Sequence, residues 1–324
     1  MHFRFDDDQL AMRDAVRSFC ADRFDLASVA GREGVEVDPA TWSGLAELGV
    51  LGTLTDEVVG FGLVEATIVF EELGAHLASG PVLWSTLGGR LVPGADAGAP
   101  KVTGVELPPG GAPLVVPHGE ECEVLLVVRG DTVERIDLAG LDGETGSSMD
   151  PLTPMLVLAE LPTGPTVAEG AEVDELRRSG QILASAVLVG GAQKVLDVAR
   201  DYALEREQFG VPIGSFQAVK HLLADCYVRV EMARAATYAA AAVGAGLGDG
   251  DPAHAASTAK HLAGDAAVRN SRTAVQVLGG MGFTWEMLPH LFLKRAWVLD
   301  QTFGTGAEHA AHLGGLVGAE VGVG

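Results

Sequence analysis

Basic residues are scarce in this sequence: 22 Lys and Arg stand against 44 Asp and Glu, a formal charge of −22 over 324 residues. A phosphate backbone needs a basic face, so nucleic-acid binding is excluded. Cysteine is scarcer still. Cys20, Cys122 and Cys226 are far apart and odd in number, which excludes a disulfide framework and a zinc cluster and suits a reducing compartment. No run of about 18 apolar residues is present, and the N-terminal MHFRFDDDQL is acidic. Neither a membrane span nor a secretory signal is expected. What is present is ordinary for a globular protein, with 48% hydrophobic residues and enough chain for two or three modest domains. The expectation is a cytoplasmic protein.

Charge is placed unevenly. Residues 1–180 carry 11 basic and 31 acidic side chains, and residues 181–324 carry 11 and 13. An anionic small ligand meets much less repulsion in the second half, and a solvated acidic surface accounts for the first equally well.

Periodicity divides the chain into three parts, residues 1–99, 100–174 and 175–324. In the first, Asp6 to Asp8 supply helix-capping carboxylates ahead of Leu10, Ala11, Ala15 and Phe19 on one face. Asp38-Pro39 opens a short helix with Trp42, Leu45 and Ala46. A third helix carries Ala66, Val69, Phe70, Leu73 and Leu77 and ends at Gly80-Pro81. The middle part is rich in Gly and Pro. It has β-like runs at Val124–Val128, Thr132–Ile136 and Met155–Leu158, separated by turn clusters at Leu107–Ala112 and Gly143–Ser148. The last part holds three long amphipathic helices: Leu188 to Tyr202; Val219, Leu222, Cys226, Val230, Ala233, Thr237 and Ala240; and, opened by Asp251-Pro252, Val268, Ser271, Val275 and Leu278. Short loops between them predict an up-down bundle. The fold class is mainly α with a small β-domain.

Two segments carry candidate chemistry. Glu205–Gln217 reads EREQFGVPIGSFQ, a helix end, a turn and a new helix start. Arg206 offers a planar fork of donors suited to phosphate, Phe209 an aromatic face and Gln217 an amide; a capped helix–turn–helix whose arginine neutralises nearby carboxylates fits the same spacing. Residues 276–282 read QVLGGMG. A helix C-cap needs one glycine, and Gly279, Gly280 and Gly282 let a ligand approach the backbone closely.

With these residues in view the chain resembles the acyl-CoA dehydrogenases. The family pattern R-x-x-F-G-x-x-[IL]-x-x-F-Q is matched by Arg206, Phe209, Gly210, Ile213, Phe216 and Gln217. Leu223-Ala224-Asp225 matches its L-A-D, Arg234 its downstream arginine, Gln276-x-x-Gly279-Gly280-x-Gly282 its Q-x-x-G-G-x-G, and Glu71-Glu72-Leu73-Gly74 its E-E-L-G. The resemblance implies an N-terminal helical domain, a middle β-domain and a C-terminal four-helix bundle. It also implies FAD, whose diphosphate and adenosine end would be reached by Arg206, Phe209, Gln217, Gln276, Gly279 and Gly280 across a subunit interface.

The same resemblance shows what is missing. The family base is a glutamate in an E-G-T segment, and here Thr302-Phe303-Gly304-Thr305-Gly306 stands there. Depending on one inserted residue, Phe303 or Gly304 takes the glutamate position. The alternative family site, at the start of the first bundle helix, falls on Gly180. None of these can take a proton, and Glu286 and Glu308 are the nearby carboxylates. The flavin-contacting T-E-P…G-S-D stretch is also absent between residues 95 and 115, which implies a truncated β-domain. The chain thus resembles the base-lacking subunit of α₂β₂ actinobacterial dehydrogenases acting on steroid side-chain CoA thioesters. That implies a second acyl-CoA dehydrogenase-like chain as partner and an acyl-CoA substrate. The alternatives are a catalytically dead assembly subunit and a stand-alone acyl-CoA oxidase or flavin monooxygenase relative. His221, His254 and His261 lack metal-ligand spacing. Lys294-Arg295, Arg269 and Arg272 suit either phosphates or interhelical ion pairs, and Phe283 and Trp285 are assigned to core packing.

Overall fold

A computed structural model of the chain describes residues 4–55, 61–107 and 114–321. The first part holds helices α1 (Asp7–Arg23), α2 (Pro39–Glu47), α3 (Leu63–Ala75) and α4 (Val82–Gly88). Asp6 caps α1 by accepting from Gln9 N at 2.8 Å, with the Gln9 side chain reaching back to Asp6 N, a capping box. Asp38 accepts from the Ala40 and Thr41 amides ahead of Pro39. The buried face of α1 is Val16 and Cys20 with Met12 and Phe19 alongside, whereas Ala11 and Ala15, expected on that face, are exposed. Large side chains at i, i+4 and i+7 win the core over a smaller pair one residue away. Helix α3 stops at Ala75, five residues before the predicted end. Leu77 takes φ +49, and the Leu77 and Ala78 amides bond back to Gly74 O and Leu73 O, a Schellman ending with leucine where glycine is usual.

The middle part holds strands β1 (Val102–Glu106), β2 (Leu114–Pro117), β3 (Val124–Arg129), β4 (Thr132–Asp137), β5 (Gly143–Gly146), β6 (Met155–Leu158) and β7 (Thr166–Glu169). They form two sheets, in orders β1-β3-β4-β7 and β2-β6-β5. β3 is buried on both faces. Val124, Leu126 and Val128 face the helices with Trp84 and Leu87, while Leu125 and Val127 pack with Leu114, Val116 and Leu158 of the second sheet. Burial on both sides is why this strand reads as an unbroken apolar run. Gly143–Gly146, predicted as part of a turn, pairs with β6 instead. A Cβ on Gly143 would sit 2.8 Å from Leu156 Cδ1, so glycine is what lets leucines lie over this strand. The predicted turn at Leu107–Ala112 falls largely outside the described residues.

The last part is a bundle of α5 (Ala171–Glu205), α6 (Gln217–Gly244), α7 (Pro252–Leu278), α8 (Pro289–Asp300) and α9 (Gly306–Val321), with the hairpin β8 (Glu207–Gln208) and β9 (Val211–Pro212) between α5 and α6. Its seam is built on small residues: Ala192, Ala233, Ala263, Ala266 and Ala267 pack with Leu188, Cys226 and Val230. Leu222, predicted on the buried face of α6, is exposed, and Leu223 packs in its place. Val268 and Val275 are only half-buried. Fully buried Asn270 ties three helices together, donating to Cys226 O at 3.0 Å and Ala192 O at 3.4 Å and accepting from Arg229 Nε. Helix α5 contains an 18-residue window of mean hydropathy 1.5, apolar enough to cross a membrane, and 72% of that window is buried in the protein. Core packing accounts for an apolarity that composition alone did not disclose.

Where α3 crosses α5 the backbones touch. A Cβ on Gly74 would lie 2.1 Å from Val187 O, and one on Gly190 would lie 1.9 Å from Glu71 O. This gives the Glu71–Gly74 motif a structural meaning. Glu71 accepts from Arg234 Nε at 2.9 Å and from Tyr238 Oη at 2.8 Å on α6. Burial holds the Tyr238 phenol protonated, so it serves as the donor. Glu72 accepts from Arg17 on α1. Charged residues here clamp helices rather than meet a ligand.

Candidate functional site

The two motif segments lie at one end of the bundle. Ala199 and Tyr202 at the end of α5, Leu223 early in α6, and Ala274, Val277 and Leu278 at the end of α7 belong to a single packed cluster. The segment 206–217 is anchored through its backbone: Arg206 N donates to Tyr202 O at 2.8 Å and Ile213 N to Arg206 O at 2.7 Å. The hairpin reverses at Phe209 and Gly210 with φ of +54° and +79°. A two-residue turn of this hand favours Asn-Gly, and a phenylalanine there carries backbone strain. Its ring is 94% exposed and meets Phe216 edge-on at 6.2 Å. The strained residue therefore presents an aromatic face to solvent while contributing nothing to the core.

Arg206, Gln217 and Gln276 are exposed, and among the described residues no hydrogen bond or ion pair engages their side chains. Helix α6 begins at Gln217 without a side-chain cap, so its first amides and the positive end of its dipole remain available. The three glycines differ in role. Gly279 has φ +63 and ψ −137, a backbone state that essentially only glycine adopts. A Cβ on Gly280 would meet nothing within 4 Å, and one on Gly282 would press 2.7 Å from Val275 O. Gly282 serves packing, while Gly279 and Gly280 leave the backbone open. A guanidinium, two amides, free helix-start amides and bare backbone form a donor set that fits the diphosphate and adenosine portion of FAD.

The turn after α8 is built the opposite way. Phe303 is 3% exposed, with φ +58. Its ring lies 4.9 Å from that of Trp84, and a Cβ on Gly180 of α5 would be 2.4 Å from it. The two places where the resemblance looks for a base are thus one place in space, filled by a phenyl ring. Gly304, with φ +90, has no room for a side chain, because a Cβ would meet His309 Nε2 at 2.9 Å. Fully buried Lys260 of α7 donates to Asp300 O at 3.0 Å and Gly304 O at 2.9 Å. Burial pushes its pKa down to about 8. His309 Nε2 lies 2.9 Å from Phe303 O, and His261 Nδ1 the same distance from Gly306 O. Burial also holds His309 below its ordinary pKa, favouring a neutral ring that donates to the carbonyl.

Beside this turn, a cleft of about 610 Å³ opens between the β-strands and α8, walled by Trp84, Val105, Leu114, Met155, Trp297 and Phe303. Among the described residues its carboxylates are Glu106 and Asp300, and no Lys or Arg lines it. Glu106 is paired with Arg177 at 2.8 Å, and Asp300 Oδ1 accepts from Gly306 N at 3.3 Å. The other nearby carboxylates lie outside the cleft. Glu308 is exposed and held below the usual carboxylate range by the Thr305 amide and hydroxyl, and Glu286 is exposed.

Several remaining candidates settle elsewhere. Arg295 pairs with buried Asp150 and donates to Ala78 O, and Arg269 pairs with Asp265 at 2.6 Å. Lys294 lies 4.5 Å over Trp285 and Arg272 lies 6.0 Å over Trp297. Phe283 and Trp285, assigned to the core from sequence, are mostly exposed. The eight residues after the end of α7 are too rich in glycine and polar groups to fold them under. The clamp residues Lys260 and His309 were missed, because a single buried lysine on an alanine-rich helix gives no spacing signal.

The architecture is that of a helical domain and a helical bundle flanking a small β-sandwich. Residues 6–93 match the acyl-CoA dehydrogenase N-terminal domain and residues 178–314 the acyl-CoA dehydrogenase C-terminal domain. Acyl-CoA dehydrogenase IpdE2 of Mycolicibacterium smegmatis is 32% identical over 288 residues, covering 85% of this chain and 87% of that protein. The chain belongs to the acyl-CoA dehydrogenase family. Two solved structures share the fold: the ChsE4-ChsE5 complex from Mycobacterium tuberculosis (TM-score 0.84, 22% identity, 100% of both chains) and a variant of the Tcur3481-Tcur3483 steroid ACAD (0.82, 23%, 98% and 99%). A glutaryl-CoA dehydrogenase from M. smegmatis in complex with FADH2 also shares it, at 18% identity, 97% and 95% coverage and TM-score 0.82.

Proposed function

We propose that this chain is the completing subunit of an FAD-dependent acyl-CoA dehydrogenase, in which a second dehydrogenase-like chain supplies the catalytic glutamate. The observation that carries this reading is the contrast within the bundle: a free, outward-facing donor set at one end and a phenyl ring in the base position at the other. FAD, when bound, supplies the acceptor for the hydride that leaves in α,β-desaturation of an acyl-CoA thioester. This chain's own part is binding and orientation. Arg206 holds the diphosphate charge, Gln217 and Gln276 fix the adenosine end, Phe209 offers a stacking face, and Gly279 and Gly280 allow close approach. Among the described residues the cleft's two carboxylates are engaged, Glu106 by Arg177 and Asp300 by the Gly306 amide, and general-base catalysis is worth roughly 10²–10⁴ in rate. The relatives support a two-chain enzyme, one being a complex of two named chains and another a steroid ACAD. We extend this to an α₂β₂ cytoplasmic assembly acting on a CoA thioester such as a steroid side chain.

A reading as an assembly subunit without flavin draws on the exposed apolar residues of α6, Tyr227, Val228 and Met232. Flavin absorbance per chain separates the two, measured on the protein expressed alone and with its partner. One flavin per pair of unlike chains, seen only in the complex, supports the completing role. One flavin per chain in a homo-oligomer overturns it, and no flavin in either sample favours assembly alone.

A further inference from the structure

Gly180 and Phe303 come from distant parts of the sequence and meet as a fitted pair. Glycine well inside α5 sacrifices helix stability, and phenylalanine at φ +58 sacrifices backbone stability. The ring joins the core cluster beside Trp84, and the notch at Gly180 sets it at the margin of the cleft. The turn that carries the ring is also held rigidly: Lys260 ties Asp300 O to Gly304 O, His309 holds Phe303 O, and His261 holds Gly306 O.

We propose that Phe303 is a steric plug that fills the base position at the margin of this chain's own cleft and keeps an acyl thioester from seating there, with Lys260 and His309 as the positioning residues that hold it in place. The plug rests on the dehydrogenase-subunit reading and adds to it. The missing base and the filled base position become one device, which keeps substrate from sequestration in a site that cannot turn it over and leaves the partner's cleft as the acyl site.

The test is calorimetric titration of octanoyl-pantetheine, a thioester without the nucleotide, into the full-length chain. The wild type is expected to show no saturable binding up to ~1 mM, and Phe303→Ala to bind at least about tenfold tighter. Phe303→Leu, which keeps most of the packing, serves if the alanine variant does not fold, and it is expected to lie between the two. Lys260 meets the cleft lining only at the backbone carbonyl of Asp300, and Lys260→Met changes no side chain that lines it, so tighter thioester binding by that variant reports release of the turn and its ring, which a purely structural lysine would not produce. Equal binding by wild type and Phe303 variants, or binding by none, overturns the plug. The flavin ratio of the two-chain complex is a separate measurement. A wild type that binds the thioester alongside one flavin per unlike pair overturns the plug and leaves the subunit reading intact. A flavin-free complex with the predicted thioester pattern does the reverse.

Discussion

Two turns at helix ends of the same bundle make opposite use of similar residues. The hairpin between α5 and α6 leaves its arginine, its amide and a phenylalanine in solvent. The turn between α8 and α9 engages its carbonyls with Lys260, His261 and His309 and buries its phenylalanine. Both phenylalanines have positive φ, so backbone strain alone does not separate a binding loop from a sealed one. The difference lies in where the polar groups are satisfied. A turn whose donors are consumed inside the chain is finished structure, while one whose donors are free awaits something else.

The contrast should break most severely at Lys260. Lys260→Met leaves two buried carbonyls without their donor, at about 1–3 kcal/mol each, and the urea midpoint should fall accordingly at constant m. Its pH dependence follows from the lowered pKa. Between about pH 8 and the ordinary lysine range the unfolded chain binds the proton and the folded one does not. This group's contribution therefore rises with pH across that window and is lost as pH falls through about 8. The stability gap between wild type and Lys260→Met should widen from pH 8 to pH 10, as denaturation at both values would show.

At the open turn the effects should fall on ligand rather than stability. Arg206→Ala removes charge-assisted bonds worth about 1.5–3 kcal/mol, so flavin retention by the two-chain complex should weaken roughly 10- to 100-fold with the melting temperature unchanged. The glycines refine this. Gly282→Ala forces a Cβ against Val275 O and should cost about 1–3 kcal/mol. Gly280→Ala enters open space and should leave stability within about 0.5 kcal/mol, while impeding flavin approach when tested by fluorescence titration. The smallest change is expected of Phe209→Asn, which suits the positive φ. Thermal unfolding should show a gain of a few tenths of a kcal/mol, with flavin held a few-fold less tightly.

Much of the site was legible because its signal is local. Arg206, Phe209 and Gln217 fall within one turn, and Gln276, Gly279 and Gly280 within one helix end, so spacing along the chain already fixes what each can reach. The clamp was illegible for the converse reason: Lys260, His309 and Phe303 converge through packing of α7 against the turn that precedes α9. The buried faces of α1 and α6 were misjudged by one residue at Ala11, Ala15 and Leu222, because alanine and leucine face either way until a neighbouring helix chooses. β5 reads as a turn in the sequence because its glycines have no side chain to show alternation.

The sequence by itself determined the helix starts at Asp6, Asp38 and Asp251, the doubly buried strand at Val124–Val128, the family motifs and the absence of an E-G-T segment at residues 302–306. These are properties of residue type and short-range spacing, which a chain carries unfolded. Only the tertiary structure decided that Phe303 and Gly180, two places where the resemblance looks for a base, meet at one point with Gly180 as the notch receiving the ring, and that Glu71 and Arg234 clamp helices. Each of these depends on which distant backbones come within van der Waals contact, and that is settled by packing the whole chain at once.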